Sequence, residues 1–230
     1  TEDAAETVRA HIESAADVKF HLGMSVKEFR GDTAILDGGE EIGFDVLVLA
    51  VGVRANTSLL AAAGAKTERG ISVDRGMRTT LPDIYAAGDA VQGYDSSVGT
   101  ERVLALLPSA YAEGECAGVN ASGGDMTLDC EIPMNSIGFF GLHMVTAGAY
   151  DGEKTVVGSG ESMRTFFIKD GTLRGYIILG DVAGAGIYTS LIREKTPLET
   201  LDLDSLFREP TLAAFPKSYR KKILAAEEEA

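Results

Sequence analysis

The stretch TTLPDIYAAGDAV, residues 79–91, decides how the chain is interpreted. Its apolar run at 84–87 predicts a short buried strand, which cannot extend back through Pro82 because proline is excluded from central ladder positions. Gly88 and Asp89 follow the run directly. The sequence therefore predicts a carboxylate at the carboxyl end of a strand, where open parallel sheets bind ligands. Such an aspartate accepts hydrogen bonds from ligand hydroxyls, and the alternative is that it only caps the next turn.

The segments around this stretch predict an α/β arrangement. An apolar run without alternation at 46–51 is typical of a central parallel strand that is covered on both faces. Asp37-Gly38-Gly39-Glu40 between two apolar segments predicts a hairpin. Pro108 is expected in the first turn of a helix that runs to about Ala121. The other elements predicted up to residue 124 are helices at 2–14 and 58–63 and strands at 18–22, 34–36, 41–44 and 71–73.

The composition changes after Gly123-Gly124 toward strands and hairpins. Two apolar segments, 165–169 and 173–179, flank Asp170-Gly171-Thr172 and predict a second hairpin. Residues 187–194 predict a helix. A terminal helix is basic at its start and acidic at 227–229, which opposes its dipole, so its end is expected to fray. The last part of the chain is therefore predicted to be an α+β domain.

Composition excludes some classes of function. Among 230 residues, 35 acidic and 21 basic residues give a formal charge of −14. This charge repels a nucleic-acid backbone. No apolar run reaches the roughly 20 residues of a membrane span, so we expect a cytoplasmic protein without a membrane. Cys116 and Cys130 form no metal-ligand pattern, and we interpret both as packing residues.

The quoted stretch resembles the second flavin-binding motif of the FAD-dependent pyridine nucleotide-disulfide oxidoreductases. The resemblance implies that Asp89 binds the ribityl chain of FAD. It also implies that the backbone of Gly88, Ala90 and Val91 approaches the pyrophosphate and the flavin.

Two further segments are similar to motifs of that family. Residues 48–56 resemble the strand and turn that border the nicotinamide nucleotide, which implies a role for Val51 and Gly52, although Ala55 stands where proline is usual. Residues 106–114 resemble the helix start that faces the pyrimidine end of the flavin, which implies a role for Leu107 and Pro108. Leu107 replaces the common tryptophan.

The C-terminal part resembles the branch that holds NADH:rubredoxin reductases and the flavin portion of assimilatory nitrite reductases. Residues 135–142 and 175–181 carry this resemblance, which implies flavin contacts from Asn135 and Ser136. Phe139-Phe140 is either a flavin wall or core. His143 is either a proton donor or a satisfied core histidine.

The G-x-G-x-x-G fingerprint of a dinucleotide site is absent from the sequence, although the family uses two, one for FAD and one for NAD(P)H. We therefore expect a C-terminal fragment. The predicted fold is α/β, with partial doubly wound FAD- and NAD(P)-binding domains followed by the α+β domain. The expected limits are 1–76 for the end of the NAD(P)-binding domain, 77–124 for the closing segment of the FAD-binding domain, and 125–230 for the C-terminal domain.

The resemblance implies an FAD-dependent NAD(P)H oxidoreductase that passes electrons to a redox protein such as rubredoxin or to a small molecule. The alternatives are an NADH oxidase or disulfide reductase of the same superfamily, or a non-catalytic assembly module that keeps the fold. No catalytic residue or metal ligand is assigned. The C-terminal domain is the expected place for a homodimer contact.

Overall fold

A computed structural model describes residues 1–129 and 131–225 of the chain. The helices are α1 (Glu2–Ala15), α2 (Ser58–Ala62), α3 (Leu107–Ala121), α4 (Ala185–Arg193), α5 (Leu203–Arg208) and α6 (Lys217–Ala225). The strands are β1 (Val26–Arg30), β2 (Thr33–Leu36), β3 (Glu41–Gly43), β4 (Ile71–Ser72), β5 (Val91–Asp95), β6 (Thr100–Arg102), β7 (Met134–Phe139), β8 (Leu142–Gly148), β9 (Glu153–Val157), β10 (Arg164–Lys169) and β11 (Thr172–Leu179). None of the helices in the described ranges has the length and apolarity needed to cross a membrane.

The largest layer is a five-stranded antiparallel sheet in the order β7-β8-β11-β10-β9. The predicted hairpin of β10 and β11 is confirmed, and Asp170 and Gly171 at its turn both have positive φ angles, 52° and 70°. One face of the sheet packs with α4 and α5 around Phe166, Tyr188 and Phe207. The α+β character of this part is confirmed.

The opposite face of this sheet is covered by α1. Ala4 of α1 is buried in a cluster with Phe167, Ile177 and Leu179. The sequence assigned this helix to the nucleotide domain at 1–76, yet in the structure it packs on the C-terminal sheet. The proposed domain limits stay predictions.

Two small sheets precede the large one. Strands β1, β2 and β3 form an antiparallel ribbon, as the hairpin signal predicted. Strand β4 pairs parallel with β5, which pairs antiparallel with β6. The β4–β5 pair is the parallel part of the described sheets.

The strand predicted at 46–51 does not form. The segment is without regular structure, and Val46 and Val51 are 79% and 92% exposed. A central strand needs a neighbour on each side, and the described residues provide no pairing partner for this run. The strand predicted at 18–22 is also wrong for the same physical reason, since this alternating segment pairs with no other strand in the described part of the chain.

The segment 84–87 pairs differently from the prediction. The backbone N–H groups of Thr79 and Ala86 bond to the carbonyls of Ile84 and Met77, at 2.9 and 3.1 Å. The chain therefore folds back on itself around Pro82 and does not enter a parallel sheet. The neighbouring strand is β5, so Asp89 lies before a strand and not beyond the carboxyl end of one.

A second core packs beneath helix α3. Cys116 is fully buried there as a free thiol, with Ile71, Val91 and Leu128. Its interpretation as a packing residue is confirmed. Leu128 belongs to this core although it follows the proposed limit at residue 124. Two predictions, the role of Cys130 and the fraying of 227–229, lie outside the described residues.

Candidate active site around Asp89

Asp89 lies in a single 3₁₀ turn, Gly88–Ala90, between an extended segment and β5. Gly88 has a φ angle of 78°, a left-handed conformation that favours glycine. Asp89 is exposed, the N-cap of its turn is Ala87, and the next element is the strand β5 and not another turn. The alternative that Asp89 serves as a local cap is therefore wrong, and its carboxylate is available to a ligand.

Helix α3 supports this turn from one side. A Cβ atom built on Gly88 would lie 3.7 Å from the Cβ atom of Ala110, and the Gly88 N–H donates a 2.7 Å hydrogen bond to Oε2 of Glu113. Ala90 and Val91 continue from the turn into the core around Cys116. The predicted residues Gly88, Asp89, Ala90 and Val91 thus form one unit that rests on α3.

The start of α3 is open to ligands. Leu107 is 84% exposed and Pro108 is exposed, and the N-cap residue, Leu106, makes no side-chain hydrogen bond to the first turn. The N–H groups of an uncapped first turn carry partial positive charge. The turn that carries the exposed Asp89 therefore packs on α3, the helix whose open N-terminus can also bind a ligand.

Glu113 was missed by the sequence interpretation. It is 3% exposed, and burial raises the pKa of its carboxyl to about 7, opposed by the Gly88 hydrogen bond and reinforced by the charges of Glu131 and Asp89. The buried face of α3 consists of Ser109, Glu113, Cys116 and Asn120. This helical spacing was a usable signal, because it places Glu113 on the same face as Cys116, which the sequence had already assigned to packing.

A second buried acidic group lies nearby. Burial raises the pKa of Glu131, while Arg193 and a hydrogen bond from Ser109 lower it. Asp95 is fully buried and pairs with Arg102, and its Oδ1 accepts bonds from the backbone and hydroxyl of Ser97. The segments that carry these two carboxyls are joined, because the Ser96 N–H donates a 2.8 Å hydrogen bond to the Glu131 carbonyl.

The structure separates the two C-terminal candidates, Asn135 and Ser136. Asn135 lines a cavity of about 600 Å³ together with Leu106, the residue before α3, and Arg102. Ser136 is exposed and is not among the residues that line this cavity. Asn135 is thus brought toward the helix start and Ser136 is not.

Val51 and Gly52 are not joined to this site. Both are exposed, and neither belongs to the buried cluster that packs the Asp89 turn against α3. Gly52 has a φ of 108° with open space around it, which leaves its backbone accessible.

Phe139, Phe140 and His143 do not form a buried core at this end of the sheet. Phe140 has a φ of 48° and lies in the turn between β7 and β8, where it is 63% exposed. Phe139 is half-buried and His143 is exposed. The interpretation as core is therefore wrong for Phe140 and His143, because the chain reverses direction at Phe140 and Gly141.

Comparison with known families identifies the chain. A family model described as pyridine nucleotide-disulphide oxidoreductase matches residues 1–114, a span that includes the Asp89 turn and Glu113. The chain belongs to this family. The resemblance drawn from residues 79–91 is confirmed, as is the α/β fold class.

Curated relatives and a solved structure agree with the family. The chain is 29% identical to the NADH-dependent phenylglyoxylate dehydrogenase subunit epsilon of Aromatoleum evansii, over 74% of this chain and 42% of the relative. It is 33% identical to a rubredoxin-NAD(+) reductase of Alcanivorax borkumensis, over 71% of this chain and 44% of the relative. An FAD-dependent pyridine nucleotide-disulphide oxidoreductase from Desulfovibrio vulgaris superposes with a TM-score of 0.79 at 24% identity, covering 91% of this chain and 58% of that one. The chain therefore spans less than half the length of these two curated relatives.

Proposed function

We propose that the chain is the C-terminal part of an FAD-dependent NAD(P)H oxidoreductase, which transfers hydride from NAD(P)H to FAD and passes electrons to a redox protein or small molecule. The observation that carries this proposal is the exposed Asp89 in a turn that packs on α3, the helix whose N-terminus is open. Membership of the pyridine nucleotide-disulphide oxidoreductase family supports it.

The residues present fit one end of an FAD molecule. Asp89 offers an acceptor for the hydroxyls of a ribityl chain, and the first turn of α3 offers N–H groups to the electron-rich end of a flavin. Asn135 lines the neighbouring cavity, where its side-chain amide can donate a hydrogen bond to a ring oxygen. When bound, FAD supplies the redox chemistry of hydride acceptance and electron transfer.

The proposed acceptor is rubredoxin or a similar one-electron carrier. The rubredoxin-NAD(+) reductase relative supports this class of acceptor. The formal charge of −14 favours a carrier with a complementary basic face. Val51 and Gly52 are proposed to border the nicotinamide nucleotide.

The test uses the full-length protein, purified and desalted in the presence of FAD. We expect one flavin per chain in the visible spectrum and NAD(P)H oxidation that a one-electron acceptor accelerates. If a disulfide substrate is reduced faster than any protein carrier, the protein is a disulfide reductase instead. If oxygen is consumed faster, it is an NADH oxidase. A colourless protein without NAD(P)H oxidation would overturn the proposal in favour of an assembly module.

A homodimer contact is proposed in the C-terminal part. The sheet ends in β9, whose Val156 is exposed on an edge strand that can pair with another chain. Light scattering of the full-length protein over a range of concentrations tests this contact. A mass that stays at one chain throughout would refute it.

A further inference from the structure

Glu113 is a buried acid that accepts a hydrogen bond from the turn that carries Asp89. Its Oε2 accepts the N–H of Gly88 at 2.7 Å, and the residue is 3% exposed. A Cβ atom added to Gly93 of β5 would lie 3.5 Å from Oε1, so the carboxyl is enclosed between α3, the turn and β5. The position of the carboxyl is therefore fixed by three elements.

The charged groups that act on Glu113 are the carboxylates of two other acidic residues, Asp89 and Glu131. Asp89 faces it from the turn and Glu131 faces it from the segment before β7, and both raise its pKa. Asp95 and Arg193 act on Glu131, and Arg102 is committed to Asp95. Within the described residues no salt bridge involves Glu113.

We propose that Glu113 is a positioning residue for the Asp89 turn, and that gain or loss of its proton changes the hydrogen bond that holds Gly88. An ionised carboxylate accepts a stronger hydrogen bond than a neutral acid does. Because Gly88 directly precedes Asp89, a weaker bond loosens the backbone that aims the Asp89 carboxylate. The pKa of about 7 places this change near neutral pH.

The consequence for flavin rests on the proposed function. If Asp89 binds ribityl hydroxyls, the ionised form of Glu113 holds the turn in the binding geometry. FAD retention should then be greater above pH 7 than below it. Glu113 makes its hydrogen bond to the backbone of the turn and acts on the ligand through that turn.

The first experiment follows the backbone amide of Gly88 in this chain by NMR between pH 5 and pH 9. We expect its resonance to move with a midpoint near 7 in the wild type, and to stay fixed in Glu113→Gln, whose amide oxygen still accepts the bond. Glu113→Ala should lower the protection of this amide from hydrogen exchange about tenfold. Glu115→Gln, an exposed position on the same helix, is the matched control and should titrate as the wild type does.

A Gly88 amide that does not titrate would overturn the inference. So would the same titration in Glu113→Gln, which would assign it to Asp89 or Glu131.

The second experiment measures FAD dissociation from the full-length protein at pH 6 and pH 8.5. We expect three- to tenfold slower release at the higher pH in the wild type and no pH dependence in Glu113→Gln. The opposite pH dependence would contradict the role of the ionised form. If the amide titrates but no flavin is retained at either pH, the positioning role stands and the proposed function fails.

Discussion

The backbone N–H of Gly88 donates a 2.7 Å hydrogen bond to Oε2 of Glu113, and this bond joins the turn that presents Asp89 to the helix that supports it. The two residues are 25 positions apart, so the contact depends on the packing of α3 against the turn. It also places a buried acid next to an exposed one. The pH dependence of stability follows from this arrangement.

Glu113 should make the folded chain less stable as pH rises. Its pKa in the folded state is about 7, above the 4.5 of an ordinary glutamate, so the folded state binds the proton more tightly than the unfolded state does. The stabilising contribution is therefore present below pH 4.5 and is lost as pH rises to about 7. The shift corresponds to a loss of up to about 3 kcal/mol.

Urea unfolding of the wild type and Glu113→Gln at several pH values measures this effect. As pH rises, the unfolding free energy of the wild type should fall relative to that of Glu113→Gln, because the variant lacks the carboxyl that ionises. The other titratable groups are the same in both proteins. Glu115→Gln provides the control. A difference that is constant from pH 4.5 to pH 8 would show that Glu113 has an ordinary pKa in the folded state.

Asp89→Ala in the full-length protein should weaken FAD binding by about tenfold or more. Hydrogen bonds to a charged acceptor contribute about 1.5–3 kcal/mol, and the alanine variant loses that acceptor while the turn keeps its Gly88 bond. Flavin content after desalting and the FAD dissociation constant are the measurements. Asp204→Ala removes an exposed carboxylate from α5 and should leave both unchanged. Equal FAD affinity in the wild type and Asp89→Ala would refute the role of Asp89.

Phe166→Ala should be among the most destabilising substitutions in the C-terminal part. Phe166 is fully buried and stacks on Phe207 with ring centroids 4.1 Å apart. Removing a buried phenylalanine side chain costs about 3–5 kcal/mol of unfolding free energy, because the loss of buried apolar surface and the cavity that remains are both unfavourable. Thermal or urea unfolding measures the loss. Phe140→Ala, at an exposed turn position, should change stability far less, and a similar loss in both variants would contradict this core.

The elements that the sequence predicted well are those determined by residues within the element itself, such as turn residues and the first residues of a helix. The β10–β11 hairpin follows from Asp170 and Gly171, which adopt the positive φ angles of its turn, and α3 follows from Pro108 at its start. Residues 46–51 failed because a central strand depends on neighbours far away in sequence. A pattern of apolar residues indicates only that such neighbours are required.

In the candidate site, too, the residues that local sequence indicates were found, and those that depend on distant packing were not. Asp89 could be found from the small residues around it and from the family motif. Glu113 could be found only by combining helical spacing with the knowledge that this face of α3 is buried, since a glutamate in a helix is usually exposed. Asn135 lines the cavity beside Leu106 because of how β7 packs near the start of α3, and the chain order does not specify that packing.

The 230-residue chain alone should bind FAD weakly and should not oxidise NAD(P)H. The contacts that it offers are Asp89, the backbone near Ala90 and the first turn of α3, and it contains no G-x-G-x-x-G fingerprint for a pyrophosphate. A few hydrogen bonds of about 1 kcal/mol each do not exceed the 4 or more kcal/mol lost when a ligand is immobilised. The apolar run at 46–51 is exposed as well, so its amides should exchange hydrogen faster than those of β11. The decisive measurement is the visible spectrum of the purified chain after incubation with excess FAD and desalting, with the full-length protein treated identically as the control. A flavin band at one equivalent per chain would show that these 230 residues hold a complete site and would refute this prediction.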